Sequence, residues 1–331
     1  MTVSVYPSVP EKTYPSLGRA IDIAAAFRTE PPPLDWTLPG LVSGTVGVLV
    51  APGGIGKSML MLQTAMSIAA GRDLFAIWGG GGAATPIMRG PVLIVAAEDT
   101  RDVLERRLHD IGKELSPEDQ AAVCARLRLH VSHGRRFSLA QQSPDGLAET
   151  EAVRELEECI EAMPEKPRLI VIDTLNRCLG SANENTAADM GFVLSVVERI
   201  CGRYGCAALI VHHATKSSAT SGGGQAQSAS RGSSAITDNA RCQFNLSMLS
   251  RDQARDFQIT CDVEMKSWVR LDLTKANYCA PRATSWLHRG ENGVLRGAPF
   301  PAPQALPNGK ARGARAALAA PTAANDNAVW E

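Results

Sequence analysis

Paired cysteines, long apolar runs and an excess of charge of one sign are all missing from this 331-residue sequence. Its eight cysteines, Cys124, Cys159, Cys178, Cys201, Cys206, Cys242, Cys261 and Cys279, form no CxxC pair and no cluster. That excludes a zinc ribbon and a dense disulfide scaffold, and it fits free thiols in a reducing compartment. No apolar run approaches the ~20 residues needed to span a bilayer. The first 30 residues lack a basic start followed by an apolar core, so no secretion signal is read and no membrane partner is expected. The protein is expected to be cytoplasmic. The 34 basic and 34 acidic side chains cancel, which argues against coating nucleic acid through bulk positive charge but leaves a local basic channel open.

What is present is an ordinary globular composition, 44% hydrophobic and 21% charged, which excludes wholesale disorder. Residues 1–33 read as a flexible segment carrying a short helix over Ser16 to Phe27, ended by Pro31-Pro32-Pro33. Residues 34–296 read as one body, and 297–331 as a disordered Pro/Ala-rich tail. Within the body, short continuous apolar runs (Val46–Val50, Val92–Ala96, Leu169–Ile172, Ala207–Val211) alternate with helical patterns over Lys57–Ala70, Arg101–Glu114, Glu149–Met163 and Thr186–Tyr204. That alternation predicts an α/β fold with a mostly parallel sheet covered on both faces. Past Asn239, alternating runs at Cys242–Leu249 and Trp268–Leu273 predict an antiparallel C-terminal extension.

The sharpest motif is Ala51-Pro52-Gly53-Gly54-Ile55-Gly56-Lys57-Ser58, followed by Met59, between a strand and a helix. This is the context of a P-loop, so ATP and Mg²⁺ are the expected ligands. The loop from Pro52 to Met59 would cradle phosphate with the backbone amides that follow the proline, Lys57 would neutralise the β- and γ-phosphates, and Ser58 would hold Mg²⁺. Ala51 stands where the first glycine is usual. Leu169–Ile172 ends in Asp173, a carboxylate placed to hold Mg²⁺ through water, the alternative being a turn-capping aspartate. Glu98, after Val92–Ala96, is placed to orient or activate the attacking water, while Asp99-Thr100 reads as a helix N-cap. Of His212 and His213, one would face the same crevice and touch the γ-phosphate.

After His213 the chain runs through a Ser/Gly/Gln-rich stretch from Lys216 to Gly232 that cannot pack a core. Lys216 and Arg231 there, and Arg177 after the strand of Asp173, are candidate contacts to DNA phosphates; a plain linker is the alternative. Neither loop has aromatics, so base stacking is not expected to be the main contact. Arg241 and Lys275 fall outside the site of one chain; read singly, each is a solvated basic side chain, the alternative being a cation supplied to a neighbouring subunit's phosphates.

The blocks Pro31-Pro32-Pro33-Leu34-Asp35, Gly44-Thr45-Val46-Gly47, the Gly-Lys-Ser loop, Ala97-Glu98-Asp99, Val171-Ile172-Asp173-Thr174-Leu175, His212-His213-Ala214, Ser230-Arg231-Gly232-Ser233-Ser234 and Lys275-Ala276-Asn277-Tyr278 stand in that order. Together they resemble the RepA-type hexameric replicative helicases of broad-host-range plasmids, which are RecA/DnaB-like ATPases, over about Ile21 to Leu295. The resemblance implies a RecA-like core in a six-membered ring with single-stranded DNA in its channel. It also implies ATP sites between subunits and movement from 5′ to 3′. It makes Lys57 and Ser58 the phosphate and Mg²⁺ residues, Glu98 the catalytic carboxylate, Asp173 the magnesium aspartate, His213 the γ-phosphate sensor and Arg241 the arginine finger. Lys275 stays a second trans-acting candidate, and a replication initiator and a primase are possible partners. Departures are Cys279 where the family has glycine, the insert Ile77–Arg89 and the tail beyond Gly297. The expected activity is an ATP-driven DNA helicase of plasmid or mobile-element replication. The alternative is a RecA-like, ATP-regulated DNA-binding or recombination-accessory ATPase that does not unwind. A small-molecule kinase is disfavoured because no lid or acceptor site is apparent.

Overall fold

In the computed structural model, the central strands sit where apolar β-branched residues run without interruption. The structure describes residues 13–14, 18–79, 87–213, 235–280 and 282–299. The chain divides into two units, one holding the residues up to Asp35 and the other beginning at Trp36.

In the first unit, β1 (Thr13–Tyr14) pairs antiparallel with β2 (Gly18–Arg19), and α1 spans Ile23–Arg28. The helix is shorter than the Ser16–Phe27 pattern predicts. Its start is set by Asp22, whose side chain accepts from the Ala25 amide at 2.9 Å, an N-cap that periodicity alone does not reveal.

In the second unit, β3 (Trp36–Leu38) and β4 (Leu41–Val42) form a small hairpin. The main sheet contains β5 (Val46–Ala51), β6 (Val92–Ala96), β7 (Leu127–Val131), β10 (Leu169–Asp173), β11 (Ala207–His213), β12 (Cys242–Met248), β13 (Trp268–Ala276), β14 (Ser285–Arg289) and β15 (Leu295–Gly297). Among the described residues nine strands form this sheet, in the order β15-β14-β13-β12-β5-β11-β10-β6-β7. From β12 to β7 every pairing is parallel. Antiparallel pairing begins only at β13. This corrects the prediction for Cys242–Leu249: β12 is the last parallel strand, because it docks on β5 with Cys242 opposite Gly47. Alternation in a sequence reports which faces are buried and carries no information on strand direction.

One sheet face is covered by α2 (Lys57–Ala70), α3 (Arg101–Gly112) and α4 (Pro117–Arg126). The other is covered by α5 (Glu151–Glu161), α6 (Leu175–Cys178), α7 (Ala187–Tyr204) and α8 (Ala235–Asn239). Helix α2 is buried almost throughout, its few polar side chains included, so the loop before it rests on a rigid support. It stops at Gly71, whose left-handed backbone lets its amide close on Ser67 and Ile68. The hairpin β8 (Ala140–Ser143) and β9 (Gly146–Glu149), with α9 (Arg251–Asp256) and α10 (Asp262–Ser267), complete the unit. Among the described residues no helix is long and apolar enough to cross a membrane.

Sheet register aligns the chemistry. Asp173 is level with Ala96 on one side and Val211 on the other, and His213 is level with Ala51. The carboxyl ends of β6, β10, β11 and β5 therefore open on one crevice, the place where parallel α/β sheets hold ligands.

Candidate phosphate-binding and hydrolytic site

Ala51 is still a strand residue, fully buried and paired with His213, so its extended backbone does not require the usual glycine. The turn needs glycine at Gly54 (φ +75°) and Gly56 (φ +105°), conformations that side chains resist. Ile55, 1% exposed, pins the turn into the core. Gly56 caps α2 without a side-chain hydrogen bond, which leaves the amides of the first turn as an anion-binding end. Pro52, Gly53 and Gly54 lie on the open side of the turn. Met59, predicted as a binding residue, turns its side chain into the core; only its backbone can serve a phosphate.

Lys57 is 7% exposed. Its Nζ donates to the Pro52 carbonyl at 3.0 Å and lies 3.4 Å from His213 Nδ1. Burial lowers its pKa, opposed by the nearby charges of Glu98, Asp173 and Asp99. His213 Nε2 stands 3.6 Å from Glu98 Oε2, so His213 bridges the P-loop lysine and the candidate catalytic carboxylate. His212, next to it, is buried at 1% exposure and does not face the crevice.

Asp173 is 1% exposed and shares a side-chain hydrogen bond with Ser58. Among the described residues its Oδ1 has no hydrogen-bond partner. Burial, with the charges of Glu98 and Asp99, pushes its carboxyl up to about 6 against the pull of Ser58 and Lys57. A buried carboxylate with an orphaned oxygen beside a serine hydroxyl is the donor set that a hydrated Mg²⁺ satisfies, so the residues fit that ion.

Glu98 extends past β6 with its side chain 40% exposed. Its loop is held by Ala97 N to Asp173 O at 2.6 Å, by Ser132 N and Oγ to Ala96 O at 2.8 and 3.3 Å, and by His133 Nδ1 with the Glu98 carbonyl at 2.9 Å. Of the predicted Asp99-Thr100 cap, only Thr100 takes the capping position. The Asp99 carboxylate pairs with Arg107 instead. An arginine nearly two turns into α3 captures it more strongly than a backbone amide would. That pairing leaves Glu98 as the carboxylate facing the crevice.

One contributor escaped the sequence reading. Arg289, on β14, donates from Nη2 to the Ile55 carbonyl at 2.7 Å, and burial lowers its pKa. It supports the P-loop backbone from a strand more than two hundred residues downstream. Nothing local distinguishes it from any other arginine.

Arg177 is exposed on α6, just beyond Asp173. Lys216, Arg231 and the rest of the 214–234 stretch lie outside the described residues, as do residues 80–86 of the 77–89 insert and the tail from 300 onward. Arg241 precedes β12, and its amide donates to Val46 O at 2.8 Å at the start of β5. The P-loop leaves the far end of that strand. Five residues at ~3.3 Å each separate the two by about 16 Å, so Arg241 does not serve its own chain's phosphates. Its side chain is exposed. Lys275 lies beside it, with Nζ donating to the carbonyls of Thr237 and Asp238 at 2.8 Å each. Its pKa is lowered by burial and by Arg241, with Asp238 opposing. Lys275 is thus engaged at the carboxyl end of α8, whereas Arg241 is the outward-facing cation of the pair.

A strand–loop–helix that binds phosphate, with one strand between it and the strand of the magnesium aspartate, is the arrangement of a RecA-like P-loop ATPase. A family model for the AAA domain matches residues 14–219. The chain belongs to the AAA domain family. Among solved structures, the crystal structure of the RadB recombinase is similar at 14% identity, with a TM-score of 0.46, over 78% of this chain and 93% of that one. The match to the AAA domain takes in Lys57, Glu98, Asp173 and His213; Arg241, Lys275 and Arg289 lie beyond it.

Proposed function

We propose that the protein is an ATP-driven, ring-forming DNA helicase that moves 5′ to 3′ on single-stranded DNA in plasmid or mobile-element replication. The observation that carries this reading is the division of charge between two ends of the sheet. Lys57, Ser58, Glu98, Asp173 and His213 gather at one end, and the exposed Arg241 stands at the other. A second copy facing the crevice would supply Arg241 as a further cation, so the complete site lies between subunits and favours a closed ring, a hexamer on the family resemblance.

Within that site Lys57 holds the β- and γ-phosphates, and Glu98 orients and activates the attacking water. His213 reports whether a γ-phosphate is present to the stretch that follows it. Ser58, and Asp173 through water, would hold Mg²⁺, which would supply positive charge opposite the phosphates. Arg241 from the neighbour stabilises charge on the transferring phosphoryl group. Lys275 orients it or adds a second charge. Lys216, Arg231 and Arg177 contact the phosphates of the strand. A cytoplasmic setting and work with a replication initiator and a primase belong to the same reading.

The test is strand displacement on a forked duplex, with ATP and a non-hydrolysable analogue side by side. Displacement with ATP alone is expected. ATP-responsive strand binding without displacement would favour a RecA-like DNA-binding ATPase, and no response to ATP would sink both.

A further inference from the structure

A cleft of about 380 Å³ opens between β7, the outermost strand of the sheet, and α5. Its floor is apolar, made by Leu93, Val95, Leu129, Phe137 and Leu156. Its mouth is basic: Arg101, Arg135 and Arg136 line it with His130, against a single acid, Glu155. This volume lies in the range of clefts that bury small ligands, ~300–1,000 Å³.

The two central arginines are unspent. Arg135 and Arg136 are exposed, and among the described residues neither side chain makes a hydrogen bond or an ion pair. This contrasts with Arg154, Arg199 and Arg203 on neighbouring helices, which are each paired with glutamates. Two arginines lining a cleft with an apolar floor suit one ligand chemistry: a phosphate on the arginines with a flat, weakly polar ring behind it. At the rim of the cleft Cys159 Sγ and His130 Nε2 meet at 3.3 Å. Burial raises the thiol's pKa, so the sulfur is a neutral hydrogen-bonding group and not an anion competing with the phosphate.

The turn carrying the arginines is also tied to the hydrolytic site. Arg135 N closes the turn on Ser132 O at 2.9 Å, Ser132 N bonds Ala96 O, and His133 bonds the Glu98 carbonyl. A ligand that orders this turn therefore acts on the loop that aims Glu98.

We infer that the cleft between β7 and α5 is a second site for a nucleoside monophosphate unit, separate from the P-loop. Arg135 and Arg136 hold its phosphate, and the apolar recess receives its base. The unit comes either from a free nucleotide or from one residue of a single strand. Neither source requires strand unwinding, so the site stands or falls apart from the helicase reading.

The experiment is hydrogen–deuterium exchange on the full chain, with its P-loop first filled by a non-hydrolysable ATP analogue and Mg²⁺. Deoxythymidine monophosphate, an oligo-dT strand or inorganic phosphate is then titrated separately. Protection of peptides over 129–137 and 155–159 is expected with the mononucleotide, the strand or both, and which of them acts identifies the source. The R135A/R136A double variant should weaken that protection at least tenfold, while the P-loop peptide 51–60 keeps its own. The two arginines bear no packing load, so the variant is expected to fold. Two results would overturn the inference: no protection of 129–137 by mononucleotide or strand, or protection unchanged in the double variant. Equal protection by inorganic phosphate would remove the base from the site.

Discussion

Replacing Asp173 by asparagine should make the ligand-free protein more stable at neutral pH while disabling it. The carboxylate is buried beside Glu98 and Asp99, and its pKa is raised from 3.8 to about 6. An acid whose folded pKa lies above its unfolded value binds its proton more readily when folded. The native state therefore gains stability as pH falls through about 6, and the gain is complete below the unfolded value. At pH 7.5 the charged form instead burdens the fold, at ~1.36 kcal/mol per pH unit of displacement, by about 3 kcal/mol. Asparagine keeps the shape and removes the charge, so Asp173→Asn should raise stability by up to that amount, or roughly 6–12 °C in Tm. Urea unfolding at pH 7.5, without nucleotide or Mg²⁺, measures the gain, and the same comparison at pH 4 should show almost none. Mg²⁺ with nucleotide should stabilise the wild type much more than the variant, and turnover should fall at least ~100-fold. A variant less stable than wild type at pH 7.5, or a gain of equal size at both pH values, would refute the electrostatic account.

Other substitutions probe the remaining parts. Lys57→Ala should reduce ATP turnover by at least ~100-fold, because its ammonium is the cation set within the crevice; retained turnover in the purified variant would displace the site. Arg241→Ala should lose turnover while keeping nucleotide affinity, and mixing it with Glu98→Ala subunits should restore part of the activity. Absence of rescue at every mixing ratio would count against a site shared between copies. Arg289→Ala should weaken binding of a fluorescent ATP analogue by about 3–10-fold through loss of one charged hydrogen bond to the P-loop, with partial recovery in Arg289→Lys; equal affinity would reduce Arg289 to a surface contact. Gly56→Ala should cost about 1–2 kcal/mol in urea unfolding from its left-handed backbone, and no measurable cost would mean the turn relaxes.

How much of this was legible in advance depends on how local each signal is. The P-loop was readable because its strand, glycines and helix are consecutive, and α2 spans Lys57–Ala70 as its pattern predicts. The parallel core strands were readable because burial on both faces leaves continuous apolar runs. β7 was not, since Leu127-Arg128-Leu129-His130-Val131 sits at the sheet edge and exposes polar side chains that break such a run. The parallel direction of β12 was not readable either, because direction is fixed by its partner β5 and by nothing within Cys242–Met248. For Asp99, the sequence offered a plausible cap, and an arginine eight residues on took the carboxylate instead.

The sequence by itself determined the chemistry available: a phosphate-binding loop, carboxylates at strand ends, a histidine that closes a strand and cations held in reserve. Tertiary structure decided their state and company. Burial of Asp173 is the joint work of β6, β10 and β11, and that burial raises its pKa and orphans its Oδ1. Sheet register set His213 between Lys57 and Glu98, the antiparallel strands brought Arg289 beneath the P-loop, and the pairing of β12 with β5 sent Arg241 to the opposite end. Electrostatic energies depend on distance and dielectric, and both come into being only when segments far apart in the chain close over one another.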